Sequence, residues 1–171
     1  MVSARGAAVD GAMRVARWRA RTERRMKSIW KASARDDLRA RLARLTPESK
    51  AQWGRMTAPQ MVAHLADSAR MALGDLPVAS KRLPIRYPPL KQLIIYCLPF
   101  RKGVPTAPEL IGRVPGDWVH EVHAAGALLE QIASPPDGPR PEHPVFGRLS
   151  EQAWGVLVYR HYDHHLRQFG V

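Results

Sequence analysis

The distribution of proline restricts where this chain can form long helices. Thirteen of its 15 prolines lie in two stretches, from Pro77 to Pro115 and from Pro135 to Pro144. Proline lacks a backbone N–H and clashes with the preceding helical turn, so neither stretch can hold a long uninterrupted helix. The candidate helices therefore lie before, between and after the two proline-rich stretches.

Two candidate helices precede the first proline-rich stretch. Ser33 can cap a helix that continues to about Leu45, because leucines recur there at helical spacing. Thr57 and Gln60 form a capping-box pattern that opens a second helix, which is predicted to continue to about Leu73. Both helices start with polar capping residues and carry an apolar stripe.

Two further candidate helices flank the second proline-rich stretch. Asp117 can cap a helix through about Ala133, and Ser150 can cap a helix that ends near Phe169. The segment between the second and third helices is too long for a tight turn, and a short helix from Leu90 to Leu98 is expected within it. We see neither a fixed-period repeat nor a sustained alternation of apolar residues. The predicted class is all-α, a four-helix bundle with a long proline-rich crossover between helices 2 and 3.

Length and composition favour one globular domain in a reducing compartment. The 171 residues, 45% of them hydrophobic, can bury one substantial core. The single cysteine, Cys97, excludes an intramolecular disulfide framework, and we expect it to be a buried small hydrophobic residue. The longest strongly apolar run, Leu93 to Leu98, is far too short to span a bilayer. A cytoplasmic location without membrane insertion is the expectation.

Residues 1–25 need a separate interpretation because they contain seven arginines and only two acidic residues, which is +5 of the net charge of +12. We interpret them as a disordered tail or a misassigned start, and residues 26–171 as the domain. The same charge motivates a nucleic-acid-binding hypothesis, since phosphate contacts dominate such binding. Aromatic residues are not interleaved with the basic ones, which makes nucleic acid an unfavoured partner.

Histidines on two predicted helices provide the strongest functional signal. His161 and His165 are about 40° apart around a helix and about 6 Å apart along it, so both rings can converge on one ion. His64 lies on the apolar stripe of the second helix, which should face the interior as well. Unpaired buried imidazoles are costly, and one shared metal ion would satisfy all three. The alternative is a histidine-rich core in which each ring bonds to a carbonyl.

Three neutral histidines would leave a coordination position for water or substrate, an arrangement that zinc, nickel, iron and manganese accept. Asp67 and Gln168 could orient a ligand ring or bind substrate, although surface positions are equally compatible with their spacing. His120, His123, Asp163 and His164 are expected to be solvated or to contact neighbouring helices. The crossover carries basic residues that could cover the metal site and hold an anion.

Three segments resemble the DinB-like superfamily, in particular a branch known only as a domain of unknown function. They comprise Trp53 to Asp67, Pro141 to Gly147 and Trp154 to Phe169, and the resemblance extends over about Met26 to Val171. It implies a four-helix bundle with a three-histidine metal site, which falls on His64, His161 and His165.

The resemblance also indicates a type of chemistry. Better-known members use the metal to activate a low-molecular-weight thiol, and members often form dimers. We therefore expect a divalent ion, zinc or nickel first, that activates a thiol or water for transfer or hydrolysis on a small-molecule substrate. Two alternatives remain: a non-catalytic metal-stabilised helical module, and a basic nucleic-acid-binding protein.

Overall fold

The computed structural model describes residues 26–136 and 138–171, and the four predicted long helices all occur within them. The N-terminal segment, interpreted above as a tail or a misassigned start, lies outside these residues. The four helices are α1 (Ala32–Leu42), α2 (Ala58–Leu73), α3 (Trp118–Ala133) and α4 (Glu151–Gln168). The described residues form no strand, and their one β-type pairing is an isolated bridge between His143 and Gly147. The all-α prediction is confirmed.

Local capping explains where three of the long helices begin. The hydroxyl of Thr57 accepts from the backbone N–H of Gln60, and the side chain of Gln60 accepts from the backbone N–H of Thr57. This reciprocal capping box opens α2, as the sequence predicts. Asp117 caps α3 through the N–H of His120, and Ser150 caps α4 in the same way.

The predicted bounds of α1 are wrong at both ends. Lys31, not Ser33, precedes the first helical residue, and its side chain makes no capping hydrogen bond. The helix ends at Leu42, since the N–H of Leu45 bonds to the carbonyl of Leu42, three residues back. This tighter turn leads into Thr46-Pro47, which cannot continue a helix. Leu45 is nevertheless buried, as its apolar spacing indicates.

One large apolar core joins the four helices. α2 packs most extensively against α3, while α1 contacts α3 and α4, and α4 contacts α2. The largest fully buried side chains include Trp154 and Tyr162 of α4. The Tyr162 hydroxyl donates to the carbonyls of Leu65 and Ala125, at 3.3 and 3.1 Å, and so connects α4 with α2 and α3 inside the core. This contact holds the histidine-bearing helices in register.

The crossover between α2 and α3 contains short helical turns rather than a continuous helix. They are the 3₁₀ turn Pro84–Arg86, the α-helical turn Leu90–Gln92, the π-helical turn Leu93–Cys97 and the 3₁₀ turn Pro108–Leu110. A short helical segment is thus present where the sequence predicts one. The prediction that Cys97 is buried is wrong: it is exposed, because the π-helical turn directs Ile95 into a small second core beside α4.

Within the described residues, no helix combines the length and the apolar character needed to cross a membrane.

Candidate metal centre

Three histidines from two helices converge beside the core. His161 and His165 lie one turn apart on α4, and His64 of α2 faces them. One ring nitrogen of each residue lies within 4.8 Å of those of the other two. The Nε2 atoms of His64 and His161 are 3.1 Å apart. The structure therefore brings together the three residues that the sequence predicts as metal ligands.

A backbone carbonyl fixes the tautomer of His64. Its Nδ1 lies 3.0 Å from the carbonyl oxygen of Leu110, at the end of the last crossover turn. A carbonyl can only accept, so Nδ1 carries the proton and donates. The Nε2 atom of the neutral ring is then unprotonated, and it lies 3.1 Å from Nε2 of His161. The crossover thus covers the site through its backbone and orients the imidazole.

A chain of two hydrogen bonds fixes His165 in the same way. The Gln168 amide nitrogen donates to the carbonyl of Trp53 at 2.7 Å, which leaves Oε1 facing Nδ1 of His165 at 2.8 Å. Because Oε1 can only accept, Nδ1 of His165 carries the proton and its Nε2 lone pair is free. Gln168 is therefore in contact with a candidate ligand.

Gly54 makes room for this chain of hydrogen bonds. It has φ +83°, and a Cβ at this position would lie 2.5 Å from the amide nitrogen of Gln168. A larger residue would be strained and would displace the amide. Trp53 thus supports His165 indirectly, because its carbonyl holds the Gln168 amide, and Gly54 leaves the space that this amide occupies.

Burial keeps the three imidazoles neutral. It lowers the pKa of His64, although the hydrogen bond to the Leu110 carbonyl and the charge of Asp67 act in the opposite direction. Burial lowers the pKa of His165 to about 3, and it lowers that of His161 well below its ordinary value. Neutral imidazoles offer the lone pairs that a metal ion needs.

The spacing of the three nitrogens is compatible with a transition metal ion. Zinc–nitrogen bonds of about 2.0–2.1 Å place neighbouring ligands of a tetrahedral site about 3.3 Å apart. The 3.1 Å between His64 and His161 is close to that value, and the third nitrogen lies within 4.8 Å. His64 is buried, whereas His161 and His165 are partly exposed, so one side of the cluster is accessible. These residues could hold an ion with room for another ligand.

Asp67 is held by arginines and makes no hydrogen bond to a histidine. Its carboxylate accepts from Arg70 at 2.6 Å and from Arg113 at 3.1 Å. Arg113 also forms two bonds to Glu121 of α3, and Glu121 accepts from the N–H of Gly116. Since Arg113 follows Leu110 by three residues, this network anchors the segment that orients His64.

A fourth histidine near the cluster was not predicted as a site residue. The Nδ1 atom of His143 accepts from the N–H groups of Val145 and Phe146, at 3.1 and 3.2 Å. The ring is therefore neutral, with its proton on Nε2, and burial lowers its pKa to about 3. It lies close enough to His161 to lower the pKa of that ring. His143 lies in the segment Pro141 to Gly147, one of the three that resemble the DinB-like superfamily, and this position could have indicated a site residue.

The weaker histidine predictions have mixed outcomes. His120 and His123 are exposed, as expected. His164 is only half-buried and contacts Trp53 and Phe100, with ring centroids 6.0 and 5.9 Å away. Asp163 pairs with Arg41 of α1, so it contacts a neighbouring helix.

Comparison with known proteins gives one match. A family model described as "Protein of unknown function (DUF1569)" matches residues 24–170. No curated protein and no solved structure gives a significant match. The match includes every residue of the histidine cluster and all four long helices. The chain belongs to the DUF1569 family of proteins of unknown function.

Proposed function

We propose that this chain is a metal-dependent enzyme of the DinB-like kind, in which His64, His161 and His165 bind one divalent ion. The observation that carries the proposal is the pair of fixed tautomers: the Leu110 carbonyl and the Gln168 amide leave the Nε2 atoms of His64 and His165 unprotonated within one three-histidine cluster. Ligand rings oriented by hydrogen bonds are typical of protein metal sites. In this proposal the four helices form a DinB-like bundle.

The ion, zinc or nickel, would lower the pKa of a bound thiol or water and so supply a nucleophile at neutral pH. The chain would hold the three rings in place, keep them neutral and leave one side of the cluster accessible to a small-molecule substrate. The proposal includes a low-molecular-weight thiol as co-substrate and, from the single cysteine, a cytoplasmic location.

One observation favours a second candidate function, a metal-stabilised module without catalysis. Two buried carboxylates of the neighbouring helices already have hydrogen-bond partners: Asp67 accepts from two arginines, and Glu121 accepts from Arg113 and a backbone N–H. Neither is a free general base. A thiol that is deprotonated on binding needs no such base, which is why a thiol is the preferred co-substrate.

Elemental analysis of protein purified without chelators tests the metal site. We expect a stoichiometric transition metal in the native chain and its loss in His161→Ala, with the helical circular dichroism retained. His123→Ala is the matched control, because His123 is an exposed histidine outside the cluster. Stoichiometric metal in His161→Ala, or a native chain that takes up none, would contradict the proposal.

Turnover separates the enzyme from the module. The metal-loaded chain is assayed with several low-molecular-weight thiols and an electrophilic acceptor, such as an epoxide or a haloarene. Metal-dependent loss of free thiol supports an enzyme. A chain that loses thermal stability on chelation but shows no turnover supports the module. Size-exclusion chromatography tests the proposed homodimer, and salt-dependent DNA binding tests the unfavoured nucleic-acid function.

A further inference from the structure

A cavity of about 340 Å³ opens beside the histidine cluster. One wall is formed by α4, another by Pro99, Phe100 and Lys102, which follow the Leu93–Cys97 turn, and the third by Trp53. Its volume lies near the lower end of the roughly 300–1,000 Å³ typical of small-molecule sites. The ring of His164 lies between this cavity and His165, with ring centroids 5.2 Å apart.

A half-buried arginine gives the cavity a fixed wall. The Arg160 guanidinium donates to the carbonyl of Ile94 at 2.9 Å and also to those of Ile95 and Leu98. These bonds attach the crossover turn to α4. The guanidinium also lies 4.7 Å from the ring centroid of Phe100 and so positions that ring. The wall is thus held by hydrogen bonds to neutral carbonyls rather than by an ion pair.

The charge balance of the cavity favours an anion. Its one carboxylate, Asp163, is already paired with Arg41 at 2.8 Å and with Arg167 at 3.1 Å. Within the described part of the chain, neither Arg160 nor Lys102 lies within ion-pair distance of a carboxylate. Arg160 and Lys102, neither of them in an ion pair, therefore line this space, and their charge favours an anion there.

Aromatic rings supply the rest of the lining. Trp53, Phe100 and His164 lie together, and the Lys102 ammonium rests 4.0 Å from the ring centroid of Trp53. These rings offer apolar surface to a planar ligand, and the lysine places a positive charge on that surface, over the face of Trp53. A ring with an attached anionic group matches both features.

We infer that this cavity is a binding site for a small aromatic anion, an aryl carboxylate or sulfonate, whose ring packs against Trp53 and Phe100 while its charge pairs with Lys102. The inference uses contacts outside the three-histidine cluster and does not depend on a bound metal. The proposed ligand would bind next to the proposed metal site, with the ring of His164 between the two.

Calorimetric titration at low ionic strength tests the site, with 2-naphthoate as the probe and neutral 2-naphthamide as its matched control. We expect saturable binding of naphthoate, with naphthamide at least about tenfold weaker, since a charge-assisted contact contributes that much. Lys102→Gln should weaken naphthoate binding by about tenfold. Arg101→Gln, the same change of charge at the neighbouring exposed residue, should leave binding within about twofold.

Three results would overturn the inference: no saturable binding of naphthoate, equal binding of naphthamide, or equal losses in the Lys102 and Arg101 variants. Both substituted side chains are exposed, so the variants should fold, and circular dichroism checks this. Metal content is measured on the same samples. A chain that binds naphthoate without holding metal supports this site and contradicts the metal proposal, so the two ideas fail separately.

Discussion

Replacing Arg113 with leucine tests the network that anchors the crossover against α2 and α3. Arg113 bonds to Asp67 and, through two nitrogens, to Glu121, whose side chain is only 4% exposed. In the Arg113→Leu variant Glu121 keeps the N–H of Gly116, and Asp67 keeps Arg70. The buried carboxylate of Glu121 therefore loses its hydrogen bonds to a cation and keeps one to a backbone N–H.

The magnitude follows from the pKa of Glu121. The hydrogen bonds and charge of Arg113, opposed by burial and helped by the Gly116 N–H and Arg70, lower it from the ordinary 4.5 to about 2, which corresponds to about 3 kcal/mol of net interaction. Arg113 is about a third exposed, so solvent screening reduces this, and we expect a loss of roughly 2–3 kcal/mol. For a chain of this length that lowers the melting temperature by roughly 4–12 °C. Arg82→Leu, at an exposed arginine of the same crossover, is the control.

The pH dependence gives a second readout with a defined sign. Because the pKa of Glu121 is lowered in the folded chain, its contribution is present above about pH 4.5 and is lost as the pH falls toward 2. The stability difference between native and Arg113→Leu chains should therefore shrink from about pH 5 to about pH 3. A melting temperature within about 1 °C of native, or a difference that does not change over this range, would refute the reasoning.

Three further substitutions have defined outcomes. Gln168→Leu should weaken metal binding by about 10- to 100-fold, because His165 loses its orienting acceptor. Competition with a chromogenic chelator measures the metal affinity, and an unchanged affinity would contradict the orienting role of Gln168. Tyr162→Phe removes the hydroxyl that joins α4 to the carbonyls of Leu65 and Ala125 and should cost about 1–2 kcal/mol in urea unfolding, and no change would contradict the assigned bonds. Gly155→Ala places a Cβ against the side chains of Trp30 and Ser28 and should cost about 1–3 kcal/mol. Gly138→Ala, where nothing lies within 4 Å of the new Cβ, is its control, and equal costs would contradict the packing argument.

The helical class could be predicted because its signals are local. A capping residue, a run of apolar spacing and a proline each act within one or two turns, and they locate α2, α3 and α4 to within about a residue. The start of α1 was missed because Lys31 provides no side-chain cap. The pairing of His161 with His165 is local as well, since both lie on one helix.

The remaining features of the site depend on contacts between distant segments. The approach of His64 to His161 joins residues 97 positions apart, and its prediction relied on assumed helix packing and on the family resemblance. Leu110 and Trp53 contribute carbonyl oxygens, which every residue has, so no side-chain pattern reveals them. The exposure of Cys97 results from a π-helical turn, which apolar composition does not distinguish from an α-helical one.

The hydrogen bond from His64 to the Leu110 carbonyl depends on the path of the backbone and not on the side chain at position 110. What matters at position 110 is the path of the peptide chain, because the acceptor is a backbone atom. Exchanging Leu110 for another residue type would keep the acceptor, whereas a one-residue deletion in the preceding loop would withdraw it. Insertions and deletions in the crossover should therefore be tolerated far less than substitutions there.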